Sequence, residues 1–436
     1  MKSKYSVLSL LLLVLSSTQA SYANKSTEAL ARKAVSENTS EASPAIEELR
    51  SLGPSGLQIL MSQYSDEIKR HIANPSARPD DQWQRITTAL DNVAQQKNSY
   101  IAGLYWHTDL ESAKKASAES GKPILSLRLL GKLTDEFSCA NSRFFRTVLY
   151  PNDAVAAMLR ERFVLHWQSV RPVPTVTIDF GDGRKLERTL TGNSIHYILD
   201  SQAQPLDALP GLYGPQAFLR GLLSAESLFK SLAGKNEVER NLLLNRYYVS
   251  QQNKIALQWT LDTQKIGGKV PEGFRIIKGV NGQPDALMIS SLAMTKAMTE
   301  TTILRAMTTA TDSLGEITDE EAWKKIAQLH SSLAVLDDRS IALIKRQNPA
   351  LSNEEMERLL QKFQELIALD TVRNEYMLHS KLYTWLMRDP ARRDIEKLNE
   401  KVYASLFLTP NSDPWLGLFS ADVYTALDNG GVVKLR

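Results

Sequence analysis

One stretch of this chain combines a nucleophilic side chain with a setting that activates it: Cys139-Ala140-Asn141-Ser142, followed by Arg143 and Arg146. The pattern puts Cys139 between a buried-type strand and the start of a helix. Free amide groups and the positive end of the helix dipole then face the sulfur, and the two arginines add positive charge. Both effects lower a thiol pKa and raise the thiolate fraction. The chemistry expected of such a group is attack on a disulfide. The competing expectation is an inert cysteine buried for packing, as free cysteines commonly are. Completing an exchange needs a second thiol to release the mixed disulfide. The chain has one cysteine, and Ser142 cannot take that role at neutral pH. A self-contained dithiol oxidoreductase is therefore not expected. A monothiol exchange, with Cys139 as the catalytic residue and an external thiol to resolve the adduct, stays open.

The other reactive residue types form no recognisable site. His107, His166 and His196 lie in or beside one region, but their separations match no zinc ligand pattern. Met288, Met294, Met298 and Met307 are interleaved with Leu292, Ala293, Ala297 and Ile303, and read as a helix core rather than a soft-metal site. Asp179, Asp182, Glu187 and Asp200 are not paired by their spacing. Gly181-Asp182-Gly183 is a turn rather than a phosphate loop, and Ser194 sits in no nucleophile elbow. No metal and no cofactor is expected. Trp415, among prolines in Thr409 to Leu418, reads as a loop tethered to a helical core, with a partner-binding patch as the other reading.

The elements that must position Cys139 are legible around it. Thr108-Asp109-Leu110-Glu111 reads as a capping box opening a helix that ends near Ser120-Gly121. Pro123 to Leu130 is a mostly apolar strand of the kind buried inside a sheet. After a loop from Gly131 to Ser138, two helical stretches hold Phe144 to Leu149 and Val155 to Leu159. Phe163 to Trp167 is a second strand. Thr175 to Phe180 and Leu186 to Leu190 flank a glycine turn as a hairpin, and Ile195 to Asp200 with Pro205 to Leu209 form another. Pro215 starts a closing helix.

From Trp106-His107-Thr108-Asp109, through Gly121-Lys122-Pro123-Ile124, to Cys139-Ala140-Asn141-Ser142 and Val155 to Val164, the chain resembles thioredoxin-like domains. These begin with a helix, a G-K-P strand and a C-x-x-C junction. The resemblance implies that Cys139 stands at the attacking position and Ser142 at the resolving one, where the family has a second cysteine. The proline that faces the thiol in the family matches Ser194, or, in a competing alignment, Pro174 in Val173-Pro174-Thr175, which leaves little room for the helix expected before it. Ser142, Arg143, Ser194 and Pro174 are thus the junction residues implied to face a substrate.

On either side the chain is helical. Residues 24–43 read as a weak helix or flexible lead-in. From Pro44 to Gln96 apolar residues recur at helical spacing, broken at Gly53-Pro54-Ser55-Gly56 and again at Asn74 to Pro79. Beyond 229 the pattern is mainly helical apart from an interruption between Gly267 and Pro284, with capping boxes at Ser352 to Glu355 and at Thr318 to Glu321. The expected fold class is a central α/β thioredoxin-like domain with a mixed sheet (105–228), flanked by a helical N-terminal segment (24–104) and a large, mainly α C-terminal domain (229–436).

The first residues carry two lysines, Lys2 and Lys4, before an apolar run from Val7 to Leu15, followed by small residues at Ala20 and Ala23. That is the pattern of a cleaved bacterial export signal (1–23), too short for the roughly 20 residues that span a bilayer. Export implies the periplasm or secretion. No cysteine near the cleavage region suggests a lipoprotein, and no later stretch reaches spanning length. Losing Lys2 and Lys4 takes the net charge from +3 to +1, which argues against a nucleic-acid surface. The partner expected is another envelope protein, bound by an exported binding or scaffold protein built on a thioredoxin-like domain without dithiol activity.

Overall fold

The computed structural model of the chain describes residues 26–74, 79–189, 192–269, 311–388, 393–410 and 426. The segment expected to be an export signal (1–23), the stretch from Met288 to Met307, most of the Gly267 to Pro284 interruption and residues 411–418 lie outside them.

The N-terminal layer is built from α1 (26–34), α2 (Thr39–Ser51), α3 (Pro54–Gln63), α4 (Ser65–Ala73), α5 (Asp81–Ala94) and the short α6 (Ser99–Ala102). Leu49, Leu57, Leu60, Trp83, Ile86, Leu90 and Val93 form its core. Pro44 lies inside α2 rather than at its start, because the Asn38 side chain accepts from the Ser40 amide and caps the helix upstream. Gly56 lets α3 close onto α2: a Cβ there would lie 1.8 Å from the Leu49 carbonyl oxygen. Arg50 ties this layer to the sheet, donating to the carbonyls of Val93 and Trp106 at 2.7 Å each.

The central layer runs β1 (Trp106–His107), α7 (Leu110–Ser120), β2 (Ile124–Leu130), α8 (Ala140–Phe144) with a π-helical continuation Phe145–Leu149, α9 (Asp153–Arg162), and β3 (Val164–Arg171). It continues with β4 (Thr175–Asp179), β5 (Lys185–Thr189), β6 (Ser194–Leu199), β7 (Pro205–Pro210) and α10 (Pro215–Ser231). Five strands form one sheet in the order β1-β3-β2-β6-β7. β1, β3 and β2 are parallel, while β6 and β7 are antiparallel. This mixed-sheet core flanked by helices resembles a thioredoxin-like fold. The helix α7 is capped by Asp109, whose carboxylate accepts from the Ser112 amide at 2.8 Å. Thr108 is not the cap, since the carboxylate one residue later reaches the free amide.

Side chains alternate across a sheet, so the register assigns them to two faces. Ser126, Arg128, His166 and Tyr197 share one face; Leu125, Leu127, Leu165, Trp167, His196 and Ile198 share the other. Phe145 and Phe218 cover the second face at His196, with ring centroids 4.6 and 5.0 Å away. Right-handed crossovers between parallel strands place α7 on the first face, opposite α8 and α9. Between β3 and β6 the described residues form no helix. They make the β4–β5 ribbon instead, a separate two-stranded sheet, so half of the first face has no local cover.

That cover comes from the far end of the chain. The helical region comprises α11 (Glu237–Lys265), α12 (311–317), α13 (Glu320–Leu329), α14 (Asp338–Gln347), α15 (Asn353–Arg373) with a π-helical stretch Asn374–His379, α16 (Ser380–Arg388), and α17 (Ile395–Lys401) with a π-helical end Val402–Leu406. Ser352 and Glu355 form the expected reciprocal cap of α15. At α13 the cap is Asp319 rather than Thr318, whose hydroxyl donates to the Leu314 carbonyl instead. The core is continuous from Trp106 and Leu127 through Tyr213 to Trp259, Tyr376 and Leu398. No helix among the described residues is long and apolar enough to cross a membrane.

Candidate functional site

Cys139 sits at the N-cap of α8, and its amide donates to the Leu130 carbonyl at 3.2 Å, which closes the loop after β2. The side chain is fully buried. Ser142, one helical turn on, is equally buried, and its hydroxyl donates to the Cys139 carbonyl at 2.9 Å. The hydroxyl therefore serves the backbone rather than the sulfur.

Neither arginine hydrogen-bonds the thiol. Arg143 donates to the Ser138 carbonyl and to the Thr189 hydroxyl, both at 2.6 Å. Arg146 is 3% exposed and donates to the Ser138 hydroxyl at 3.1 Å. Their short sequence distance from Cys139 thus translates into holding the loop and ribbon, not into pairing with a thiolate.

Ser194 opens β6 opposite Leu129, next to the junction; a Cβ on nearby Gly192 would lie 2.8 Å from the Asn141 side-chain oxygen. Its hydroxyl is buried with no hydrogen-bond partner among the described residues. Pro174 lies in the link between β3 and the ribbon, whose Val173 borders Gly131 in the loop that leads to Cys139, and no peptide bond among the described residues is cis. The structure thus brings Cys139, Ser142, Arg143 and Ser194 together, and the link that carries Pro174 borders the same loop.

The chain's own C-terminal segment lies over this corner. Arg128, 1% exposed on central strand β2, pairs with Glu396 of α17 at 2.8 Å. The Tyr197 hydroxyl donates to Asn399 at 3.3 Å, and the Tyr403 hydroxyl to the Asn193 carbonyl at 3.2 Å. Thr409 closes the segment, accepting from Arg171 at its carbonyl (2.7 Å) and from the Asn193 side-chain Nδ2 at its hydroxyl (3.1 Å). Burying Ile395, Leu398, Val402, Tyr403 and Leu406 stabilises this cover by about 1.5–3 kcal/mol per large apolar side chain. It is part of the core rather than a loose flap.

His166 and His196 are buried on opposite faces of the sheet. His166 takes a 2.8 Å hydrogen bond with Ser126 on one face, while His196 takes one of 2.8 Å with Tyr150 on the other. Burial holds both down at about 3; for His166 the charges of Arg128 and His107 add to it. His107 is half-buried and also lowered by burial. Among the described residues no three His, Cys, Asp or Glu side chains are arranged to hold a metal ion. Asp179, Asp182 and Asp200 pair with Lys185, Arg184 and Arg240 rather than with one another.

Sequence reasoning missed a buried polar cluster where β7 meets the helical region. His379 lies between Asp207 and Glu375, at 3.2 Å from each. The Tyr383 ring stacks on it at 4.2 Å, and Tyr247 donates to Asp207. Burial alone would depress the imidazole; the Glu375 charge and hydrogen bonds to both carboxylates outweigh it and raise it to about 9. With His379 and Asp207 buried and Glu375 partly exposed at its edge, the cluster binds the helical region to the sheet.

Comparison with protein-family models, curated proteins and solved structures returned no match. The resemblance to thioredoxin-like domains therefore rests on strand order and on the placement of Cys139.

Proposed function

We propose that this chain is an exported binding or scaffold protein of the bacterial cell envelope, in which the thioredoxin-like layer serves recognition and another envelope protein is the partner. One observation carries the reading: the junction is closed. Cys139 is fully buried beneath the chain's own residues, and the lone cysteine has no resolving thiol. A single cysteine rules out self-contained dithiol turnover. Monothiol exchange would first require the cover over Cys139 to leave, against the apolar burial that holds it.

Export is supported by the charged start, short apolar run and small residues of the N-terminus. Two measurements test the proposal. Amino-terminal sequencing of protein from the envelope should begin at Ser21 or Asn24; a mature chain beginning at Met1 overturns export. Affinity capture from native envelope should recover the same partners, in the same yield, with wild type and a folded Cys139→Ala variant. Partners lost with the thiol, while circular dichroism stays native, would overturn the binding reading in favour of thiol chemistry.

A further inference from the structure

The β4–β5 ribbon is anchored to the sheet domain but packed on little of it. Among the described residues its strands pair only with each other, and Thr175, Thr177, Ile178, Asp179, Lys185, Glu187 and Arg188 are exposed. A two-stranded ribbon with one face uncovered is marginal in water by itself. Its register sorts its side chains sharply. Val176 stands opposite Arg188 and Ile178 opposite Leu186, and the Phe180 amide donates to the Arg184 carbonyl. With side chains alternating, Val176, Ile178, Phe180 and Leu186 fall on one face together with Arg184 and Arg188. The carboxylates of the strands, Asp179 and Glu187, fall on the other, where Asp179 pairs with Lys185 at 3.2 Å.

The ribbon meets the body of the protein at its base, where Thr189 accepts from Arg143 of α8; beyond it Val176 and Leu186 are half-buried, and the outer apolar residues on their face are open to solvent. Ile178 is 45% and Phe180 54% exposed. Asp182 in the turn pairs with Arg184, while Arg188 donates to the carbonyl of Glu187 and has no carboxylate partner among the described residues.

We infer that this face is a docking surface for an extended, acidic and apolar segment of a partner polypeptide. Apolar side chains of the segment would cover Ile178 and Phe180, a carboxylate would meet Arg188, and the open strand edges would accept main-chain pairing. The charge sorting selects this occupant. An anionic membrane would have to approach Asp182 at the ribbon tip, and the ribbon as a whole carries three acidic and three basic residues. This inference rests on the binding reading above and names the surface that performs it.

The probe is a fluorescent peptide of alternating valine and glutamate, with a valine–lysine peptide of equal length as its counterpart, titrated against the full chain by anisotropy. Binding of the acidic peptide should weaken roughly tenfold or more in Phe180→Ser and in Ile178→Ser, corresponding to loss of about 1.4 kcal/mol. Arg188→Gln should weaken it and flatten its salt dependence. All three positions are exposed, so the variants should keep the wild-type melting temperature. Equal binding of the lysine peptide, binding unchanged by all three substitutions, or wild-type binding to phosphatidylglycerol vesicles that the substitutions abolish would each overturn the assignment. If the peptide binds as expected yet Cys139→Ala strips the partners captured from envelope, the broader reading fails while the surface stands.

Discussion

Raising the pH should loosen the helical region from the sheet through His379. The imidazole is buried between Asp207 and Glu375 and its pKa is raised to about 9, against about 6.5 in an unfolded chain. A raised folded value contributes stability that is complete below about pH 6.5 and is lost as pH climbs through about 9. The difference corresponds to about 3 kcal/mol, a substantial part of the 5–15 kcal/mol typical of a folded domain. The assay is urea unfolding followed by tryptophan fluorescence from pH 6 to 9.5, on wild type and His379→Gln. The wild-type advantage should be largest at the acid end and shrink steadily as the imidazole deprotonates. Because glutamine leaves two carboxylates near an uncharged group, the variant will itself be destabilised, and imidazole NMR on the wild type gives an independent reading. An imidazole titrating near 6.5, or a wild-type advantage that does not change with pH, would refute the reasoning.

Acid should act through different histidines. His166 and His196 are held down at about 3, so the unfolded chain takes up protons first and stability falls as pH drops below about 6.5. By pH 5 the loss should reach about 2 kcal/mol for each, and a urea midpoint that stays level between pH 7 and 5 would contradict it. At the start of α15, Ser352→Ala removes the hydroxyl that accepts from the Glu355 amide and should cost about 1 kcal/mol, read as a lower melting temperature; no shift would mean that the helix end frays already.

Most of the central layer was legible because its signals are local. Pro123 to Leu130 reads as a buried strand, and every residue of β2 is buried. Gly121 ends α7 in the left-handed conformation expected of a helix stop. Both hairpins are present, as are the closing helix at Pro215 and the reciprocal cap at Ser352. Errors of detail fell where two capping residues stand side by side: at Thr108 with Asp109 and at Thr318 with Asp319, the aspartate took the amide. Arg128 carried a warning. A guanidinium inside an otherwise apolar strand must find a buried partner, but nothing near it in sequence identifies Glu396.

The sequence by itself determined that one thiol is available and that strands and helices alternate around it, because residue counts and hydrophobic periodicity depend only on neighbours along the chain. Only the tertiary structure decided what surrounds that sulfur. Residues 395–410 cross the junction, two arginines serve the loop and ribbon instead of the thiol, and His379 meets Asp207 from more than a hundred residues away. Such contacts are set by how whole layers pack, and packing brings together residues whose spacing in sequence carries no trace of the meeting.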